Sequence, residues 1–397
     1  MRSGLSEPDM AMLSEGAGMH APAPSPRLPT LPAKPIRVMI VDDSAVVRGL
    51  VARWIEDEPG LEVVARHANG KLAVEDVVRS APDIVLLDIE MPVMDGLEAL
   101  PLLLRARPEL CVLMVSTLTR RNAEISFNAL ALGALDYVPK PDSNREITTS
   151  LDFRREVIRK IKSLGRVRTQ HTGLGDGVRI VQDGAAPGEI HRRDVFTQRP
   201  FSLVPPRIVA IGSSTGGPQA LAALLGAASP ALSRVPVVVV QHMPPVFTGI
   251  LAEHLAKATG REAREGIQGE ALKPGIIYVA PGNFHMTVVP AAQPAVRLGS
   301  EPPVHFCRPA VDPLLASVAA SFGPAALGIV LTGMGHDGAA GARAIAEAGG
   351  SMIAQDEASS VVWGMPGAAA ALGVCAAVLP PAGIAETVAK LIKGERP

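Results

Sequence analysis

Four short apolar runs in the first half of the chain each end in residues able to hold a cation and a phosphoryl group. Arg37–Val41 runs into Asp42 and Asp43, Asp83–Leu87 into Asp88, Val112–Val115 into Ser116, and Leu135–Val138 is followed closely by Lys140. In open parallel sheets ligands gather outside the carboxyl ends of strands, which is where these residues fall. Three carboxylates drawn together repel, and a hard cation such as Mg²⁺, bound at roughly 2.0–2.1 Å, relieves the repulsion. One carboxylate can then attack a phosphoryl group while Lys140 supplies a point charge and Ser116 a hydroxyl. Any single acidic strand end serves equally well to solvate a loop. The conjunction of five such residues carries the reading.

A second constellation lies further on. RIVAIGSSTGGPQALAALL reads as a strand, a glycine-rich turn and a helix starting near Pro218. Its GSSTGG core fits neither G-x-G-x-x-G nor G-x-x-x-x-G-K-[ST], and no lysine is placed to reach a phosphate. The alternative is a nucleophilic serine, aided by glycines that permit close approach and by the positive end of the helix. Both Ser213 and Ser214 offer a hydroxyl. A base is then required, and His242 directly follows the apolar run of VVVVQHMP. Asp337, in the glycine-lined loop of LGIVLTGMGHDG, can orient that imidazole and stabilise its protonated form. A lone histidine after a strand is more often structural, but three such residues at carboxyl ends of strands point to hydrolytic chemistry.

Strands separated by amphipathic segments must position these residues. Leu61–Ala65 adds a fifth strand to the first set, and helical spacing such as Val46/Val47, Leu50/Val51 and Trp54/Ile55 fills the intervals, with a last helix over Phe153–Leu164. The reading is α/β, with a (βα)5 domain of flavodoxin-like type at 35–164. A second run, over 206–397, has strands at Ile208–Ile211, Val235–Val240, Ile276–Val279, Leu327–Leu331 and Ser351–Ala354. More ambiguous runs lie at Thr287–Val289 and Val374–Val378, and the whole reads as a doubly wound, mostly parallel sheet. Residues 1–34 carry six prolines and no periodicity and read as a disordered extension. Residues 165–205 read as a flexible linker.

Composition bounds the function. The 397 residues carry 38 basic and 39 acidic side chains, so no overall field draws the chain to nucleic acid or to an anionic membrane. A DNA-binding output would need a basic helix-turn-helix face, which the second half lacks. Three well-separated cysteines, without a C-x-x-C pair, suit a reducing compartment. The longest early apolar run, Met10–Leu13, is too short for a signal peptide, and Ala368–Leu379, closed by prolines, reads as core rather than a membrane span. A cytoplasmic protein is expected.

VDDS at 41–44, PDIVLLDIEMPVMDG at 82–96, MVST at 114–117 and DYVPKP at 136–141 resemble a two-component response-regulator receiver domain. The resemblance implies that Asp88 accepts phosphate from a sensor histidine kinase and that Asp42, Asp43 and Asp88 bind Mg²⁺. It also implies that Ser116 and Lys140 respond to the phosphate, with Tyr137 as an aromatic reporter. IGSSTGG, QHMP, PGNFHM, RPAVDPLLASVA and LTGMGHDG resemble the catalytic domain of chemotaxis-type protein-glutamate methylesterases, and the domain order agrees. That resemblance implies Ser214 as nucleophile, His242 as base and Asp337 as acid. Thr215 and Met334 would lie beside the nucleophile and the oxyanion. The family pattern has Ala where Ser213 stands, so two hydroxyls are adjacent here. His285 is either a groove residue or an ordinary loop histidine, and His336 receives no role.

The implied activity is demethylation of glutamate γ-methyl esters on methyl-accepting chemoreceptors, releasing methanol, with deamidation of receptor glutamines open to the same chemistry. Mg²⁺ would serve the receiver, the esterase reaction would need no cofactor, and the unphosphorylated receiver would cover the esterase groove. Rival readings are an esterase of the same family on receptors of a non-chemotactic pathway and a receiver with a non-enzymatic output.

Overall fold

The computed structural model describes residues 34–141, 150–172, 198–290 and 293–397, and residues 35–397 form one compact unit. Five parallel strands, β1 (Ile36–Val41), β2 (Leu61–His67), β3 (Ile84–Asp88), β4 (Cys111–Thr117) and β5 (Asp136–Lys140), make a sheet in the order β2-β1-β3-β4-β5. Around them lie α1 (Ala45–Glu56), α2 (Gly70–Ser80), α3 (Gly96–Ala106), α4 (Arg120–Ala131) and α5 (Leu151–Thr172). Four of these helices start on short polar residues that accept a free first-turn N–H: Ser44, Asn69, Asp95 and Thr119. Asp95 and Glu98 complete a reciprocal capping box. Such caps let a helix begin within a few residues of the preceding strand, which keeps the strand-end residues grouped.

The second sheet has seven strands in the order β14-β13-β12-β6-β7-β9-β8, every pair parallel. In chain order these are β6 (Ile208–Ser213), β7 (Val237–Gln241), β8 (Ala263–Glu265), β9 (Ile277–Val279), β12 (Ala326–Val330), β13 (Ser351–Gln355) and β14 (Ala377–Leu379). Helices α6 (Gly217–Leu232), α7 (Phe247–Thr259), α8 (Val311–Phe322), α9 (Ala339–Glu347), α10 (Gly364–Ala371) and α11 (Pro381–Lys393) cover its faces. From β6 the chain winds outward through β7, then returns to lay β12 on the other flank of β6. This is the reversal of direction at which such sheets open a crevice.

Several details differ from the sequence-based expectations. The run at Thr287–Val289 belongs to an antiparallel hairpin, β10 (His285–Val289) with β11 (Ala295–Gly299), outside the main sheet. Strands β8 and β11 escaped the periodicity because they are short and half-exposed. Helix α5 continues to Thr172, past the expected start of the linker. At its other end, Arg199 and Ser202 donate backbone N–H groups to the Cys375 carbonyl and to Ser351 Oγ. The middle of the expected linker and the expected extension up to residue 33 lie outside the described residues. Among the described residues no helix is long and apolar enough to cross a membrane.

Gly212, in β6, lets α8 press against the sheet beneath the crevice, since a Cβ there would lie 2.2 Å from Val311 Cγ1. Gly212→Ala is therefore expected to destabilise the chain by roughly 1–3 kcal/mol through overpacking. Adding Val311→Ala should recover part of the loss in a denaturant titration. An unchanged midpoint in Gly212→Ala would contradict this packing.

Candidate functional site

Ser214, His242 and Asp337 follow β6, β7 and β12, three adjacent strands that bring distant segments to one crevice. His242 Nε2 lies 2.7 Å from Asp337 Oδ2. The Asp337 carboxylate also accepts N–H groups from Val311 at 2.7 Å, Asp312 at 2.9 Å and Gly338 at 2.9 Å. Two of those donors open α8, so the carboxylate takes the place of the N-terminal cap that Ala310 cannot supply. Burial acts to raise the Asp337 pKa, but the His242 hydrogen bond and charge together with these N–H donors hold it below the usual range. Burial likewise opposes charge on His242, yet the Asp337 bond and the neighbouring Cys307 carry its pKa up to about 9.

His242 Nδ1 is buried without a hydrogen-bond partner, and it is the nitrogen left to exchange a proton. No hydrogen bond joins His242 to Ser214 in this arrangement, although both line one cavity of about 420 Å³. Catalytic contacts of this kind commonly tighten only when substrate is bound.

The two adjacent serines are separated by their partners. Ser213 is fully buried and its hydroxyl donates to Gln241 Oε1 at 2.7 Å, while Gln241 Nε2 donates to the Ser214 carbonyl at 2.8 Å. Gly217 makes this possible, because a Cβ there would come within 2.0 Å of Gln241 Oε1. Gly333 also lies close to Ser214, with a hypothetical Cβ 2.8 Å from Ser214 Cβ. Met334 follows at once, and neither its N–H nor that of Thr215 has a hydrogen-bond partner among the described residues. Two free amides beside a serine are what a developing oxyanion requires.

The same cavity is walled on its far side by the first domain, through Tyr137, Pro139, Asp152, Arg155, Glu156, Arg159 and Lys160. Tyr137 stacks on Phe247 of α7 with ring centroids 4.4 Å apart and 7° between planes, and Phe127 stacks on His254 at 4.7 Å. Arg120 pairs with Glu253 at 2.6 Å, and Gln219 donates to the Ala134 carbonyl. The Arg155 guanidinium sits 5.3 Å above the ring of Phe306, in the segment that forms the cavity rim. Met334 and Val362 pack within an apolar cluster that also contains Phe153 and Val157 of α5.

In the first domain, the oxygens of Asp42, Asp43 and Asp88 lie within 4.8 Å of one another. Lys140 Nζ donates to Asp42 at 2.8 Å and to Asp88 at 3.1 Å. Burial pushes the Asp88 carboxyl up to about 7, with Lys140 opposing the rise and Asp42 adding to it. That crowding is what a divalent cation relieves, and the all-oxygen donor set suits Mg²⁺. Ser116 Oγ turns instead toward the Thr117 and Asn122 carbonyls, and no contact joins it to Asp88. Gly96 brings α3 against the end of β3, since a Cβ there would lie 2.1 Å from the Asp88 carbonyl oxygen.

Sequence reasoning missed Gln241, Cys307 and Phe247. Gln241 is signalled only by its place beside His242, and the other two by nothing local. His285, expected as a groove or loop histidine, instead opens β10, where it is buried and its Nε2 bonds the Pro302 carbonyl at 3.1 Å.

Residues 38–152 match the family model described as response regulator receiver domain, and residues 209–388 the one described as CheB methylesterase. A protein-glutamate methylesterase/protein-glutamine glutaminase of Rhodopseudomonas palustris (strain HaA2) is 50% identical over 382 residues, covering 94% of this chain and 98% of its own length. One of the same description from Nitrobacter hamburgensis is 52% identical over 367 residues, with 91% and 95% covered. The crystal structure of the Thermotoga maritima CheB methylesterase catalytic domain is 39% identical with a TM-score of 0.46, and covers 47% of this chain and 100% of its own.

Proposed function

The chain belongs to the CheB methylesterase family, in the form that carries a response-regulator receiver domain. From that premise we propose that a receiver over 35–164 gates a serine esterase over 206–397, which hydrolyses glutamate γ-methyl esters on chemoreceptors and deamidates receptor glutamines. The observation that carries this reading is the convergence of Ser214, His242 and Asp337 on one cavity, with Ser213 tied away from it.

Ser214 Oγ attacks the γ-carbonyl carbon and its proton passes to Nδ1 of His242, whose Nε2–H remains bound to Asp337. Negative charge moves to the carbonyl oxygen, where the Thr215 and Met334 amides receive it. The imidazolium then protonates the departing methoxy oxygen, releasing methanol, or the departing amide nitrogen, releasing ammonia when the substrate is an amide. Water adds to the acyl-enzyme by the reverse proton path and frees the glutamate carboxylate. The raised pKa of His242 bears on the resting state, because a protonated imidazole cannot take the serine proton.

The receiver's part is to hold this cavity shut. Asp88 receives a phosphoryl group from a sensor histidine kinase of the chemotaxis type; Asp42, Asp43 and Asp88 would hold Mg²⁺, which would supply charge neutralisation in that transfer. Ser116 and Lys140 then turn to the phosphoryl oxygens. Lys140 releases Asp42 as it does so, and β5 shifts with it. Tyr137 lies on β5 and stacks on Phe247, so displacement of the strand loosens the interface. A few kcal/mol of differential stability is sufficient to open it.

Ser214→Ala is expected to lower methanol release from methyl-labelled receptors by several orders of magnitude, with His242→Ala alike and the double variant little worse than either. Ser213→Ala should keep nearly full activity while losing roughly 1–3 kcal/mol of stability, because Gln241 Oε1 is left buried without that donor. The opposite ranking of the two serines would exchange their roles.

Incubation with a small phosphodonor and Mg²⁺ should label the wild type and not Asp88→Asn. Tyr137→Ala should raise basal esterase activity roughly fivefold or more by removing the aromatic stack. A basal rate equal to wild type, together with normal labelling of Asp88, would contradict gating through this contact.

A further inference from the structure

His305 and His336 take no part in the chemistry described above, yet the fold places them together at the outer edge of the Asp337 loop. Their rings meet edge to face with centroids 4.3 Å apart. His305 Nε2 lies 3.1 Å from Asp312 Oδ2, and the donor atoms of His305, Asp312 and Asp337 are all within 4.8 Å of one another. Both histidines are exposed, so an ion arriving from solvent has access.

The turn that presents His305 is constrained. Val304 and Cys307 exchange both backbone hydrogen bonds, at 3.1 and 2.9 Å, which forces His305 and Phe306 to φ values of 51° and 64°. Non-glycine residues enter that left-handed region only when the surroundings impose it. Asp312 is held with equal firmness, because Gly341 N–H donates to its Oδ1 at 2.7 Å and leaves Oδ2 toward His305. Asp337, by contrast, already accepts four hydrogen bonds and has no lone pair to offer. It contributes negative charge only.

We propose that His305, His336 and Asp312 form a site for a divalent transition ion of the zinc type, distinct from the acidic pocket of the receiver. Two imidazoles and a carboxylate suit zinc and exclude Mg²⁺, which prefers oxygen donors. Ligands about 2.0 Å from a tetrahedral ion stand roughly 3.3 Å apart, close to the separation of the His305 and Asp312 donors. The His336 ring, with its centroid 4.3 Å from that of His305, would have to change rotamer to supply the third donor, and water would complete the shell. The bound ion ties the 304–307 turn to the Asp337 loop and sets positive charge beside the carboxylate that supports His242. Zinc therefore slows the esterase, a consequence that rests on the catalytic reading above, whereas binding itself does not.

The test is a calorimetric titration of the full chain with Zn²⁺ in excess Mg²⁺, without substrate, comparing wild type with His305→Ala/His336→Ala. Wild type should bind one more equivalent than the double variant, or bind it at least tenfold more tightly. The double variant should retain its basal esterase rate and escape inhibition by zinc. Equal zinc binding by the two proteins overturns the proposal. So does zinc binding that Cys307→Ser abolishes and the histidine double variant keeps, since that would place the ion between Cys307 and His242.

Discussion

The carboxylate of Asp337 is where the catalytic half of the molecule is held together. It accepts one hydrogen bond from His242, at the end of β7, two from the start of α8, and one from the start of its own loop's exit into α9. Four donors make it possible to bury a charge that would otherwise cost several kcal/mol to desolvate. They also bring into register three segments of the chain, the His242 segment lying 95 residues before Asp337 and the start of α8 26 residues before it. What the proposed site needs is compatible with that placement: an imidazole fixed through Nε2, an Nδ1 without a hydrogen-bond partner, and a glycine loop packed close to Ser214. The parallel sheet is the means, because only a reversal of strand order sets β6 between β7 and β12.

In the proposed reading, control is exerted across the same cavity. The first domain contributes one wall of it and packs on the second through stacked rings, a few hydrogen bonds and a surface ion pair. These contacts are individually worth little, and an exposed pair such as Arg120 with Glu253 least of all. A weak, composite interface suits a switch, since the energy of one phosphorylation is enough to tip it. Among the contacts, Tyr137 on Phe247 stands out, because its strand also ends in Lys140, which grips Asp42 and Asp88. Acidic pocket and interface are thus two ends of one five-residue strand.

Much of this was legible in the sequence, for a physical reason. Strand-end residues in parallel sheets are local signals: a run of β-branched residues stops, and the next side chain lies at the crevice. Asp42, Asp88, Lys140, Ser214, His242 and Asp337 were all visible in that way. The choice of Ser214 over Ser213 came instead from the family resemblance; its physical basis, the bond of Ser213 to Gln241, lies nearly thirty residues away and is recognisable only once β6 and β7 pair. Phe247, Cys307 and the His305–Asp312 contact are likewise products of tertiary packing. The hairpin of β10 and β11 was misplaced for the same reason, since alternation marks a strand but does not say which sheet it joins.

In the proposed mechanism Ser214 is the reacting nucleophile and the receiver keeps it from its substrate. The most direct measurement is the rate of covalent labelling by a fluorophosphonate probe, with the modified residue located by mass spectrometry, before and after phosphorylation of the full chain. Labelling confined to Ser214, slow at rest and much faster after phosphodonor and Mg²⁺ are added, is the predicted result. Labelling at Ser213, or a rate that phosphorylation leaves unchanged, would contradict it.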